Sequence, residues 1–287
     1  HYTLPFFISI PTITTIHDCI HVTHPDTFLH KYLGNFLIKS SMKRSSHVIT
    51  VSEHSAKQLN KIYKLKENLL SVIPNTLRKG IQQIDSDRQS KINKSLGIKS
   101  YQAENNGEYC PTLVVVGDSF SSETKKSVSA LGLEKSIKFI GAVEEDLLSS
   151  LYANADFVVI PSLEEGFGLV ALEAMYCGTA VISTPLPSIK EICGNCAWYS
   201  NGFEYKDLFE TIVSFMSQQS KAHGMTVLGR TRANRYDRKK IAQEVYAIYK
   251  NNILKGLINN TIDEDNNYHI GKLEDSSDHE NLRYTID

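Results

Sequence analysis

Glu165 and Glu173 stand eight positions apart in the segment PSLEEGFGLVALEAMYCGTAVIST, residues 161–184. A glycine-bracketed turn, Gly166-Phe167-Gly168, lies between them and opens onto a helical pattern. Carboxylates in such a place can accept hydrogen bonds from hydroxyl groups, one from those of a sugar and the other from those of a ribose. Backbone N–H groups at Gly168 and Leu169 would sit at a helix N-terminus, where unpaired donors and the helix dipole favour an anion such as phosphate. Glycines let the backbone approach a ligand closely and adopt positive φ. The competing reading is plainer: a helix-capping Glu165 and a solvated Glu173 in an ordinary crossover.

The elements that must position this turn are legible in the flanking residues. The apolar run Phe157–Ile160 ends at Pro161, and a second run, Ala180–Ser183, begins after Gly178. A strand, loop, helix and strand in that order put the loop at the strand's carboxyl end, where α/β folds bind ligands. Further short apolar runs occur at Thr12–Ile16, Val48–Val51, Leu70–Ile73, Leu113–Val116 and Ile137–Ile140. Their hydrophobicity is continuous rather than alternating, which predicts strands buried on both faces of a parallel sheet. Amphipathic patterns at Thr124–Leu131 and Glu145–Tyr152 predict helices between them. Positions 241, 245, 248 and 249 predict a long amphipathic helix from Tyr236 to Asn251. The fold class is therefore α/β.

The wording around the two glutamates resembles the signature of the retaining glycosyltransferases of family 4, whose GT-B fold pairs two facing Rossmann-like domains with parallel sheets. That signature reads approximately E-G-F-G-L-x-x-x-E-A-M-A-x-G-x-P-V, and Ala180 stands where proline is usual. SSHVITVSEHSAKQL and LLSVIPN are similar to steps at the end of the family's first domain, and Thr15-Ile16-His17-Asp18 followed by His24-Pro25 is similar to its mannosyltransferase-like members. The resemblance covers most of residues 11–253. It implies that Glu165 contacts the donor sugar, that Glu173 holds the nucleotide ribose, and that the backbone of Gly166, Phe167, Gly168 and Leu169 meets sugar and diphosphate. It also implies that His17 lies beside the donor sugar and that backbone near Gly141 and Val143 holds the nucleobase. Ser52 could face the cleft, or serve as a cap. Asp18 reads as a turn or N-cap residue.

The resulting organisation is a partial N-terminal, acceptor-side domain over 1–74, a polar hinge or excursion over 75–110, and a donor-binding domain over 111–235. A crossing helix over 236–255 follows, then an acidic tail over 256–287 whose acids face only Lys272 and Arg283 and which reads as disordered. At 287 residues the chain can build two cores. Its formal net charge of −1 gives no broad electrostatic case for nucleic acid or an anionic membrane. No run approaches the roughly 18 apolar residues of a membrane span. The opening segment lacks a basic n-region and does not read as a signal peptide. His1 rather than methionine opens the chain, as a fragment would. The expected location is cytoplasmic, with peripheral membrane association allowed.

Five cysteines suit a reducing compartment. Cys193-Gly-Asn-Cys196 reads as incidental, since no second ligand pair has matching spacing. His21, His24 and His30 lack a carboxylate at useful spacing and do not read as a metal site. No cofactor or metal is expected beyond a nucleotide-sugar donor, GDP-mannose or a UDP-hexose. The acceptor is a glycan, a lipid-linked or a small-molecule hydroxyl. Two parts of the family pattern are missing: the start of the first domain, and a strand carrying an Arg and a Lys for the diphosphate. Arg78-Lys79-Gly80 reads as a solvated basic pair rather than their replacement. The alternative to an active hexosyltransferase is thus a truncated or degenerate relative that binds nucleotide sugar or serves as a partner subunit.

Overall fold

A computed structural model of the chain describes residue 4 and residues 10–25, 27–84, 112–117 and 121–262. The first half runs β1 (Ile13–Thr15), α1 (Ile20–Thr23), α2 (Phe28–Arg44), β2 (His47–Thr50), α3 (Glu53–Tyr63) and β3 (Leu70–Val72). Its three strands pair in parallel in the order β1-β2-β3, with Ile13 opposite His47 and Val48 opposite Leu70. Helical crossovers make this possible, because parallel neighbours cannot be joined by a tight turn. Ile16, Ile38, Val48 and Leu59 fill the space between sheet and helices. Ser52 starts α3 by accepting a hydrogen bond from the Ser55 amide, and Lys64, at φ 53°, ends it in the left-handed region.

The second half follows as β4 (Leu113–Val115), α4 (Ser122–Ala130), β5 (Ile137–Phe139), α5 (Glu145–Asn154), β6 (Phe157–Ile160), α6 (Leu169–Cys177), β7 (Ala180–Ser183), α7 (Pro187–Cys193), β8 (Ala197–Tyr199), α8 (Tyr205–Met216), α9 (Gln219–Ala233) and α10 (Arg238–Ile262). Among the described residues these strands form two sheets, β4-β5 and β6-β7-β8, all parallel. β7 is central and every one of its residues is buried, as continuous hydrophobicity predicts. β4 does not follow that rule: Leu113 is 51% exposed. β8 escapes the sequence reading altogether, because Ala-Trp-Tyr is too short a run to separate from the turn before it. It is recruited by pairing with β7, Ile182 opposite Trp198.

α10 continues to Ile262, past the boundary expected at 255. A single interior glycine, Gly256, costs about 1 kcal/mol and does not by itself stop a helix. Of the stretches expected as excursion, 75–110, and acidic tail, 256–287, residues 85–110 and 263–287 lie outside the described residues, and α10 takes in 256–262. Near its start α10 lays Ile241, Val245 and Ile248 against Ile13, Ile49 and Ile73 of the first sheet, and Tyr236 touches both this cluster and the core around α6. A segment that follows the second half in sequence thus packs on the first. Truncating Ile241 to alanine should lower unfolding stability by an amount toward the small end of the usual range of about 2–5 kcal/mol. Urea denaturation measures it; an unchanged midpoint would show that α10 does not fasten the first sheet.

Candidate active site

The turn between β6 and α6 is fixed from both sides. Gly168 is the helix N-cap at φ +103°, a conformation side chains rarely adopt, and a Cβ there would run into Ile189. It offers no side chain to cap α6, and the helix carries no acid in its first turn. The amides of Leu169 and Val170 have no preceding carbonyl in the helix to bond, which leaves an anion-receptive terminus. Phe167 is 5% exposed and stacks edge-on against Tyr236, ring centroids 5.9 Å apart. Glu165, half-buried, accepts a hydrogen bond from Ser162 Oγ at 3.0 Å. Leu169, also half-buried, packs on the core beneath.

Gly166 is where the two halves of the chain meet. Ser52 Oγ donates to its carbonyl at 2.6 Å, and Ser55 Oγ lies 3.0 Å from the same oxygen and 3.1 Å from His17 O. A Cβ on Gly166 would stand 2.7 Å from Asp18 Cβ and 2.9 Å from His17 O. Ser52 is fully buried, so its hydroxyl serves the cap and this seam, the plainer of its two readings. Asp18 accepts a hydrogen bond from the Ile20 amide at 3.0 Å, a turn contact just ahead of α1, whose N-cap is Cys19; this is the turn half of its expected turn-or-cap role. His17 is exposed on one side while the protein mass around it lowers its pKa below the ordinary 6.5, and its carbonyl reaches the seam. Val143 follows β5, half-buried, with its side chain against the core around α6.

Two further carboxylates clamp α3 to the second half. Glu191 accepts from the backbone amides of Glu53 and His54 at 2.9 and 3.3 Å, satisfying two orphan donors at the start of α3. Glu164 accepts from Gln58 Nε2 at 2.6 Å, with His54 Nε2 at 3.2 Å and His24 Nδ1 at 3.5 Å. No local pattern marks these partners, since each pair is more than a hundred residues apart. Ser55 was the exception in principle: Ser at both ends of Ser52-x-x-Ser55 is capping spacing. Cys193 ends α7 buried, and burial pushes its thiol up to about 12, away from the range of a reactive thiolate.

Glu173 is the least expected feature. It is fully buried on α6, and its two oxygens are taken: Arg78 Nε donates to Oε1 at 2.6 Å, Arg78 Nη2 to Oε2 at 2.7 Å, and Tyr152 Oη to Oε2 at 3.0 Å. Burial and then the Glu173 charge push the Tyr152 phenol far above its usual range, so it remains a donor. The plainer, competing reading of a solvated Glu173 therefore fails, and so does the expectation of a solvated Arg78. A buried carboxylate is tolerated only with such partners. No local pattern announces them, because Arg78 lies 95 residues away in sequence.

Residues 1–77 match the family model described as Glycosyltransferase Family 4, and residues 100–232 match that described as Glycosyl transferases group 1. The chain belongs to the family 4 glycosyltransferases. It is 32% identical over 215 residues to the O-antigen chain mannosyltransferase RfbU of Salmonella typhimurium, an alignment covering 70% of this chain and 59% of that relative. The chain thus spans less than two thirds of that glycosyltransferase's length. Its GT-B fold is shared with the sucrose-phosphate synthase of Thermosynechococcus elongatus at a TM-score of 0.71 and 19% identity, covering 85% of this chain and 68% of that one. It is shared also with Anabaena HepE in complex with UDP-glucose, at 0.70 and 21%, covering 84% and 72%.

The seam makes a sharp prediction for this chain. Gly166→Ala must push its Cβ into backbone and should cost about 1–3 kcal/mol, as overpacking does. Gly224→Ala, in α9 with nothing within 4 Å, should be neutral or gain up to about 1 kcal/mol. Thermal unfolding of the two variants compares them; equal midpoints would remove the close contact at Gly166.

Proposed function

We propose that the chain transfers a hexose, mannose in preference, from a nucleotide sugar to an acceptor hydroxyl with retention at the anomeric carbon. The observation that carries this reading is the open N-terminus of α6 directly beside two carboxylates, Glu165 half-exposed in the turn and Glu173 buried behind it. In this reading the diphosphate lies on the Gly168 and Leu169 amides, Glu165 orients the sugar hydroxyls, and Glu173 serves the ribose. The nucleobase rests on the backbone near Val143, and His17 borders the sugar. Charge develops on the leaving diphosphate, where fixed amides stabilise it without reorganisation. That phosphate, on the same face, takes the proton of the incoming hydroxyl, so no enzymic nucleophile is required. The mannosyltransferase among the relatives supports mannose, and GDP-mannose or a UDP-hexose is the proposed donor. A glycan or lipid-linked hydroxyl is the proposed acceptor, and no metal enters the proposed reaction.

The second reading, a relative that binds nucleotide sugar without turning it over, is favoured by one observation: the arginine on Glu173 occupies the carboxylate that the donor needs. Turnover decides between them. Incubated with GDP-mannose or UDP-glucose and an acceptor mixture, the protein should release nucleoside diphosphate, and Glu165→Ala should slow it about a hundredfold, the scale of lost positioning. Binding of UDP or GDP by thermal shift without any release would support the second reading.

A cytoplasmic, membrane-peripheral site of action is part of the proposal. None of the described helices is long and apolar enough to cross a membrane. α2 nevertheless exposes Phe28, Leu29, Tyr32, Leu33 and Phe36 beside Lys31, Lys39 and Lys43, a combination suited to an anionic interface. Sedimentation with phosphatidylglycerol vesicles, weakened in Phe28→Ser/Leu29→Ser, is expected; equal recovery with neutral vesicles would count against it.

A further inference from the structure

We propose that Arg78 is this chain's diphosphate-binding cation, held on Glu173 until a donor's ribose displaces it. The inference rests on the donor-site reading above and adds a residue and an exchange to it. Three of the roughly four lone-pair sites of the Glu173 carboxylate are already filled, two by Arg78 and one by Tyr152. Ribose hydroxyls approaching that carboxylate must therefore take positions the guanidinium now holds. Tyr152 can stay, because its phenol comes from α5, inside the core.

The guanidinium has somewhere to go. Its side chain is 48% exposed although its partner is wholly buried, and Nη1 has no hydrogen-bond partner among the described residues. The backbone on either side is pinned: Leu77 O accepts from Arg238 at 3.1 Å, and Ile81 is buried in the core around α6. Movement is thus confined to the side chain. Glu173 lies four residues beyond Leu169, about 6 Å along the helix axis. Helical side chains lean toward the N-terminus, so the carboxylate already sits over the turn that leads to the anion-receptive amides. In the proposed exchange the guanidinium turns from the carboxylate toward the diphosphate by side-chain rotation alone.

The exchange is balanced in kind. Glu173 trades two charge-assisted donors for ribose hydroxyls, and Arg78 trades one anion for another with the same fork geometry. Without a donor the pair stays closed and the buried charge stays compensated. With one bound, a positive group joins the helix terminus where the leaving group gains charge. In this reading Arg78 is a ligand-contacting residue, and the pair is the lock that a nucleoside diphosphate opens.

The test measures UDP, GDP and the nucleosides uridine and guanosine against the wild-type chain, Arg78→Met and Arg78→Lys, by calorimetry for diphosphates and ligand-observed NMR for nucleosides. Arg78→Met should weaken the diphosphate about tenfold or more while leaving the nucleoside unchanged or tighter, because Glu173 is uncovered. Arg78→Lys should recover part of the diphosphate affinity. Since Arg78→Met leaves a buried charge that could unfold the chain, Arg78→Met/Glu173→Gln provides a neutral pair, in which the diphosphate should still lose its advantage over the nucleoside. A diphosphate that binds every variant as it binds wild type, or that falls by the same factor as the nucleoside, overturns the assignment. A wild-type chain that binds neither UDP nor GDP overturns the donor-site reading itself.

Discussion

The carbonyl of Gly166 is the point through which the two halves of this molecule are held in register. Two buried serines from the first half converge on it, one of them also the cap of α3, while the His17 carbonyl and the Asp18 side chain close over the same glycine. A hydrogen bond of this kind contributes only about 1 kcal/mol net, but a buried carbonyl left without a donor costs more. The seam is therefore selective rather than strong. It works because residue 166 has no side chain, and because Val51 and Phe167 share one core beneath it. Glu191 on the start of α3 and Glu164 under His54 and Gln58 flank the same contact, and α10 adds an apolar fastening on the far side of the first sheet.

That constraint explains why the site has its shape. The turn that fixes the seam is also the N-cap of α6, so its glycines answer two demands at once: close approach at 166 and positive φ at 168. Holding the turn leaves the first amides of α6 with no carbonyl of their own helix and no capping side chain to bond. It leaves Glu173 facing inward, where it is compatible with folding only because Arg78 and Tyr152 supply donors. The burial that makes Glu173 a sharply placed acceptor also makes its partner residue indispensable to the resting state.

Much of the fold was legible in the sequence, for a physical reason. Seven short apolar runs rich in branched residues became seven strands within a residue or so of their expected ends, since such side chains pack well on a pleated sheet, although only β7 is buried along its whole length. β8 was missed because Ala197-Trp198-Tyr199 draws its structure from pairing with β7 rather than from its own composition. α10 runs past its expected end because a single interior glycine does not stop a helix. At the site, the turn and its two glutamates could be found from spacing, and the glycines from what they permit. The partners could not. Arg78 with Glu173, and Glu164 with His54, are meetings of distant segments, and a basic pair next to a glycine looks the same in sequence whether it is solvated or locked.

The central claim is that the α6 turn receives a nucleoside diphosphate, and a crystal structure determined with UDP or GDP at saturating concentration tests it most directly. The account predicts phosphate oxygens on the amides of Gly168 and Leu169, ribose hydroxyls on Glu173, and the Arg78 guanidinium turned from the carboxylate to the phosphates. A nucleotide bound elsewhere on the chain, or density absent from the turn with the Arg78–Glu173 pair intact, would contradict it.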